Sequence, residues 1–485
     1  MRAHLPSPLI RGICATLLVV TLSLTCRAQS GPSQNPDLQQ LKDKLQQLEQ
    51  AMQELKGQIS AIEQAQKSPV APTSAPPSVA PTTAAPSASP EAQLTASKPA
   101  KTGGEEEPKT TLDLYGFAMT DTGYDFGQTD PQWFDVVRPT KLPAFANEFG
   151  ANGNVYFSVR QTRFGVKSST PTAWGDLKTQ FEFELFGTGV DAGQTTFRLR
   201  HAYGELGPLL VGQTWSAFMD IGVFPNTLEY WGPNGMVFFR NIQIRWTPIH
   251  TDHTQLAFAL ERPGASADQG VYSGRIELQN IAPRFNLPDI SGHVRATRQW
   301  GYVQLAGLFR KIAWVNTSSS PFNLNGTAFG WGLNLTSNIN FGRKDVGKFE
   351  VVYGEGIENY MNDAPIDIGV KNNFSNPISP IKGVALPVLG VVSFLDHTWS
   401  DRFTSSIGYS LVNIQNSNAE KPSDFHQGDY AIGNLLFRPV PKVTIGGEFQ
   451  FGRRLNFSDG FNVNDYRLQF SFKYNWDKTL GIPGI

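Results

Sequence analysis

The sequence predicts an all-β protein: a 16-stranded antiparallel transmembrane β-barrel (porin) with an N-terminal periplasmic coiled-coil helix. Three observations predict it. The stretch Asp465–Trp476 alternates with period two, so Tyr466, Leu468, Phe470, Phe472, Tyr474 and Trp476 share one face. Arg467, Gln469, Ser471, Lys473 and Asn475 share the other. The apolar face is aliphatic and Phe-rich in its middle and carries Tyr or Trp at its ends, as a lipid-facing strand between two headgroup belts requires. Second, connections alternate short and long from Leu112 onward, the pattern of periplasmic turns and external loops. Third, Leu38, Leu41, Leu45, Leu48, Met52, Leu55, Ile59 and Ile62 recur at 3-4-3-4-3-4-3 spacing, an a/d seam over four heptads.

The elements follow in order. Residues 1–28 read as a secretory signal peptide: Arg2 and Arg11, an apolar run from Ile13 to Leu24, and a cleavage site near Ala28. Both cysteines, Cys14 and Cys26, lie in that segment, which leaves no thiol for disulfide, redox or Cys-ligated metal chemistry. The coiled coil occupies 37–66 and implies self-association, because one helix cannot bury such a seam alone. Residues 67–110 are rich in Pro, Ala, Ser and Thr and form an extended linker. Residues 111–476 carry the barrel and 477–485 a short C-terminal tail. Sixteen strands are expected, at 112–126, 154–168, 176–187, 195–206, 209–218, 240–248, 253–261, 289–298, 302–314, 327–341, 347–357, 384–399, 402–414, 428–438, 442–454 and 465–476. An even number puts both barrel ends in the periplasm, where the coiled coil belongs.

Charge is balanced in the 485 residues, 41 Lys and Arg against 42 Asp and Glu, so no nucleic-acid partner is implied. A barrel of about 16 strands leaves an aqueous channel, so function is sought on the inward parity. That parity supplies Lys178, Arg198, Arg200, Arg245, Arg295, Arg454 and Arg467, with Glu182, Glu184 and Glu448 as opposing acids. A ring of cations in a low-dielectric wall favours anion entry; the bland alternative is that these arginines pair with the acids and brace the wall. Loop 220–239, rich in Gly, Pro and aromatics, is expected to fold inward as the third external loop and narrow the pore, with Glu229 and Arg240 as its polar contributors.

Enzyme chemistry finds little support. His250 and His253 flank a short turn beside Asp252, a pattern usually solvated rather than metal-binding, and no phosphate loop, Cys cluster or metalloprotease helix is present. A catalytic role would need a serine or aspartate beside His201 or His397 on a lipid-facing ledge. No cofactor and no metal are expected.

The runs Leu199–Gly207, Val211–Asp220 and Gly232–Gly235 resemble the DcaP-like outer-membrane porins. So do Gln243–Trp246, Gly356–Tyr360 with Asp363, and Asp396–Ser400. The resemblance covers Leu112 to Trp476. It implies a trimeric porin with a periplasmic coiled-coil extension, passing small anionic solutes such as dicarboxylates. Arg198, Arg200, Arg240 and Arg245 are the positions to which anion contact would carry over. The chain departs from the family in Glu358, an acid inside a matching segment, and in continuing past Trp476. The expected partners are outer-membrane lipid, small anions and two further copies of the chain in a homotrimer. A different class of function is a structural tether whose coiled coil and linker reach the peptidoglycan while the barrel serves as anchor.

Overall fold

The structure is a computed structural model and describes residues 110–264, 274–284, 286–319 and 321–482. The signal peptide, the heptad seam from Leu38 to Ile62 and the linker up to residue 109 lie outside the described residues.

Eighteen strand segments form one antiparallel sheet; two pairs of segments are single strands interrupted by a break, leaving sixteen crossings. These are β1 (Thr110–Asp125), β2 (Asn154–Ser158 continued by Arg163–Thr172), β3 (Gly175–Phe186), β4 (Thr195–Leu206), β5 (Leu209–Trp215) and β6 (Arg240–His250). Then come β7 (Thr254–Glu261), β8 (Asp289–Arg298, extended outward by Ile281–Arg284), β9 (Gly301–Asn316), β10 (Gly326–Phe341) and β11 (Asp345–Glu355). The set ends with β12 (Pro387–Thr398), β13 (Phe403–Ile414), β14 (Phe425–Phe437), β15 (Val443–Asn456) and β16 (Asn462–Ile482). The sheet closes where β1 pairs with β16 from Thr110↔Ile482 to Asp125↔Arg467. Closure removes every edge, the condition for a sheet to survive in hydrocarbon.

Burial is inverted relative to a soluble protein. On β16, Phe470 is 53% exposed while Arg467 is 0% exposed. The same holds on β7, where Phe258 and Leu260 face out and Glu261 is buried, and on β11, where Val351 and Tyr353 face out and Glu350 is buried. Apolar side chains turned outward on every strand are what lipid contact demands.

Besides the extension of β8 at Ile281–Arg284, three strand boundaries differ from expectation. β16 runs on to Ile482, because Asp477–Ile482 keep pairing with Thr110–Tyr115, so the expected tail is strand over most of its length. β2 breaks at residues 159–162, where Arg160 turns inward to an ion pair with Asp135 at 2.5 Å. β5 stops at Trp215, and residues 216–218 already belong to the following loop.

The interior also departs from a uniformly polar lumen. Inward residues Val352, Val388, Val392, Val412 and Ile432 of β11–β14 pack with Phe218, Met236, Val237, Ile357 and Tyr360 from two long loops. The polar-in rule gives way there because the wall meets apolar loop residues rather than water.

Candidate functional site

Loop 216–239 reaches the inward wall through its own backbone amides. Ala217 N donates to Glu261 Oε1 at 3.2 Å, Leu228 N to Glu448 Oε2 at 2.7 Å, Gly235 N to Ser410 Oγ at 2.9 Å and Val237 N to Glu350 Oε1 at 2.8 Å. A run of amides with no strand partner needs acceptors once buried, and the wall supplies them from β7, β11, β13 and β15. Within the loop, Glu229 accepts from the amides of Val137, Trp231 and Gly232 and from the Tyr430 hydroxyl. Burial pushes its carboxyl up to about 8 against those donors, with Glu448 adding to the rise. Gly232 sits at φ +82°, and a Cβ there would meet the Phe224 ring at 2.4 Å, so the turn that brings this amide to Glu229 requires glycine.

Loops 126–153 and 356–386 complete the filling. Asp363 accepts from Arg138 Nε at 2.9 Å, Thr140 N at 2.9 Å and Thr140 Oγ1 at 2.5 Å, joining the two loops. Arg138 is held between two indoles, its guanidinium carbon 4.1 Å from the ring centres of both Trp133 and Trp231.

The floor of the site is an acid pair on β3. Register between β3 and β4 slips from Glu182↔His201 to Phe183↔Leu199, a bulge that turns both Arg200 and His201 inward. Arg200 donates Nε to Glu182 Oε1 at 2.6 Å and Nη1 to Glu184 Oε2 at 2.7 Å. Arg163 Nη2 lies 3.4 Å, Arg240 Nη2 3.8 Å and Arg198 Nη1 4.0 Å from the Glu184 carboxylate. Four arginines thus surround two acids. Above them is a cavity of about 200 Å³ bordered by Arg138, Arg198, Arg240 and Arg275, by Trp133, Tyr230 and Trp231, and by Asn359. Tyr230 donates its hydroxyl to Glu184 and stacks on Phe186 at 4.1 Å, joining the loop to the acid pair. Arg275 Nη1 donates to the carbonyls of Ala364 and Pro365 at 2.5 and 3.2 Å.

Of the residues expected in the lumen, Arg198, Arg200, Arg240, Glu182 and Glu184 come together here. Others do not. Arg295 is taken up by Asp220 of the loop at 2.7 Å and covers Tyr302 at 4.1 Å. Arg245 donates to Gln243 Oε1 at 2.9 Å and to the Trp215 carbonyl. Arg467 is sealed between Asp125 and Asp465, both at 2.9 Å, and caps the Val136 carbonyl at 2.7 Å. Arg454 donates to the carbonyls of Thr140 and Leu142 in loop 126–153. Lys178 sits half-exposed near the short turn between β2 and β3, 4.0 Å from Glu205. Glu358 is fully buried: burial holds its carboxyl well above the usual carboxylate range, and the Asp367 charge reinforces this. Arg138, Arg163, Arg275 and Asn359 were not among the residues expected at the site. Three of them stand in loops or at the edge of a loop, and Arg163 follows the break in β2, so no periodicity marked them.

The neighbouring aspartate asked of the histidines is found at His397. Asp345 lies beside His397, Nδ1 to Oδ1 at 2.6 Å, near the short turn between β12 and β13, with Trp399 at 4.2 Å. Cross-strand Ser405 accepts from the Trp399 indole at 2.9 Å instead, and no hydrogen bond joins it to His397 among the described residues. One carboxylate group with metal-like spacing is found among the described residues, Glu277, Glu420 and Asp424. Glu420 is already engaged by Asn416 and Ser417.

The family model for the DcaP outer membrane protein matches residues 93–476. The chain belongs to the DcaP outer membrane protein family. This member is similar to the outer membrane channel DcaP of Acinetobacter baumannii, at 18% identity and TM-score 0.62, over 78% of this chain and 100% of that one. It is more distantly similar to OmpT of Vibrio cholerae (13% identity, TM-score 0.46, covering 76% and 98%). An anion-selective porin from Comamonas acidovorans stands at 10% identity and TM-score 0.47, covering 76% and 100%. No curated protein matches the chain. Family and fold together make this member of the DcaP family an outer-membrane β-barrel protein.

Proposed function

We propose that this channel lets small hydrophilic solutes diffuse passively through the barrel and favours anions such as dicarboxylates. The observation that carries the reading is the crowding of Arg138, Arg198, Arg240 and Arg275 around one cavity, with Arg163 and Arg200 on the acid pair beneath it, against Glu182, Glu184 and Asp363. Cations in excess of acids, inside a wall of low dielectric, attract small anions and repel cations. Loop 216–239 narrows the path by filling the barrel from one side, and the β2–β6 wall forms the other. Arg198 and Arg240 are the cations of the path; Arg200 organises the acids beneath them, while Arg245, Arg295 and Arg467 hold loops and seam.

The heptads at 38–62 support a homotrimer whose coiled coil stands in the periplasm, joined to the barrel through the linker. Purified full-length protein in a planar bilayer under a KCl gradient tests the transport reading: the reversal potential should lie on the chloride side of zero. Sealed bilayers or cation preference would refute it.

A further inference from the structure

Three amide side chains border the arginine-lined cavity, Gln213, Asn359 and Asn362, and they are used differently. Asn362 donates to the carbonyls of Trp231 at 2.6 Å and Pro233 at 3.0 Å. Gln213 donates to those of Leu199 and Arg200, both at 3.3 Å. Asn359 is only 2% exposed, yet neither its Nδ2 nor its Oδ1 has a partner. Its backbone is firmly placed: it occupies the middle of the 3₁₀ turn Glu358–Tyr360, its N–H donates to Asp367 Oδ1 at 2.6 Å, and Tyr360 next to it is tied to Asp289 at 3.0 Å. A buried amide left without donors or acceptors is costly unless something else supplies them.

The groups beside it say what that something carries. Arg275 directs its described hydrogen bonds to two carbonyls, and Arg198 keeps a buried Nε without a partner. Both cations retain capacity for a carboxylate. The Asn359 amide on the same cavity offers both N–H donors and an acceptor oxygen, which a hydroxyl can meet in both senses. An ammonium there would face the arginines and be repelled. At about 200 Å³ the cavity suits a four-carbon diacid and falls below the roughly 300–1,000 Å³ typical of drug-sized ligands.

We infer that Asn359 makes this cavity select dicarboxylates bearing a hydroxyl group over the unsubstituted acid and over the amino acid of the same skeleton. The inference rests on the anion-channel reading above and names the substrate class of that site. The probes are malate, succinate and aspartate, which share four carbons and two carboxyls and differ in one substituent.

The experiment measures block of single-channel chloride current by each acid at pH 7 in the full-length protein. Malate is expected to half-block at a concentration roughly fivefold below succinate, the effect of one ordinary neutral hydrogen bond, with aspartate weakest. In Asn359→Leu, which replaces the amide with an apolar group of similar volume, the malate-to-succinate ratio should fall to about one. Equal half-blocking concentrations in the unaltered protein overturn the inference, since an amide that merely holds water predicts them. An unchanged ratio in Asn359→Leu overturns it as well. The three acids compared on the unaltered protein decide the matter even where the variant does not assemble. Chloride selectivity in the bilayer with equal block by malate and succinate removes this inference alone; absence of chloride selectivity removes the channel reading and this inference with it.

Discussion

Two inward clusters, alike in residue type and strand parity, have opposite characters. At the closing seam, Arg467 of β16 lies between Asp125 of β1 and Asp465 of β16, with Asp121 nearby taking Ser471 and Gln469. Acids outnumber the cation, loop 126–153 covers it, and Arg467 is fully buried. On the β2–β6 wall, Arg163, Arg198, Arg200 and Arg240 gather on Glu182 and Glu184, and the surplus faces a cavity. The seam cluster welds the first strand to the last. The wall cluster leaves positive potential where a solute can meet it. An inward arginine is therefore no sign of a filter; the number of acids beside it and the loop above it decide.

The largest effect should come from the seam. Arg467→Met leaves two carboxylates facing each other without a cation, a loss expected to cost about 3–5 kcal/mol. It should appear as a lower urea midpoint and an earlier loss of the heat-modifiable folded band, with ion selectivity unaltered in whatever folds. If stability is unchanged, the weld is not a weld. Arg198→Gln combined with Arg240→Gln makes the opposite prediction: the permeability ratio of chloride to potassium drops by roughly fivefold, about 1 kcal/mol, while the urea midpoint barely moves. A double variant that loses stability and keeps its selectivity would erase the contrast between the clusters. Trp231→Ala removes one face of the sandwich around Arg138 and should cost about 1 kcal/mol, visible as increased current noise from a loosened loop 126–153.

The smallest effect is pH dependence through Glu229. Its folded-state pKa of about 8 exceeds the unfolded value of about 4.3, so its stabilisation is complete below about 4.3 and is lost as pH rises through about 8. Urea midpoints should decline between about pH 5 and about pH 9, and Glu229→Gln should flatten that decline. A midpoint that rises over this range in the unaltered protein contradicts the assignment.

Much of the frame was legible in the sequence because lipid contact imposes a rule on every second residue. The face of Tyr466, Leu468, Phe470 and Phe472 could be read directly, and with it the inward direction of Arg467. What parity cannot give is the partner. Arg295 and Arg467 point inward as the pattern requires, yet each is consumed by an aspartate, Asp220 from a loop and Asp125 from the far end of the chain. Residues on long loops have no period at all, which is why nothing in the pattern singled out Arg138, Arg275 or Asn359. The apolar inward face of Val352, Val388 and Val412 hid for a related reason: its burial depends on loops whose path is set by the wall carboxylates Glu261, Glu350 and Glu448. The strand past Trp476 was missed because Asp477 and Lys478 break the aromatic pattern while their backbones go on pairing with β1.

The central claim is that surplus arginine charge on the β2–β6 wall sets which ions pass. Reversal potential with potassium succinate on both sides of the bilayer at a tenfold gradient addresses it most directly. The account predicts a sign set by succinate in the unaltered channel and a shift toward the potassium value in the Arg198→Gln, Arg240→Gln variant. A potential set by potassium in both proteins contradicts it.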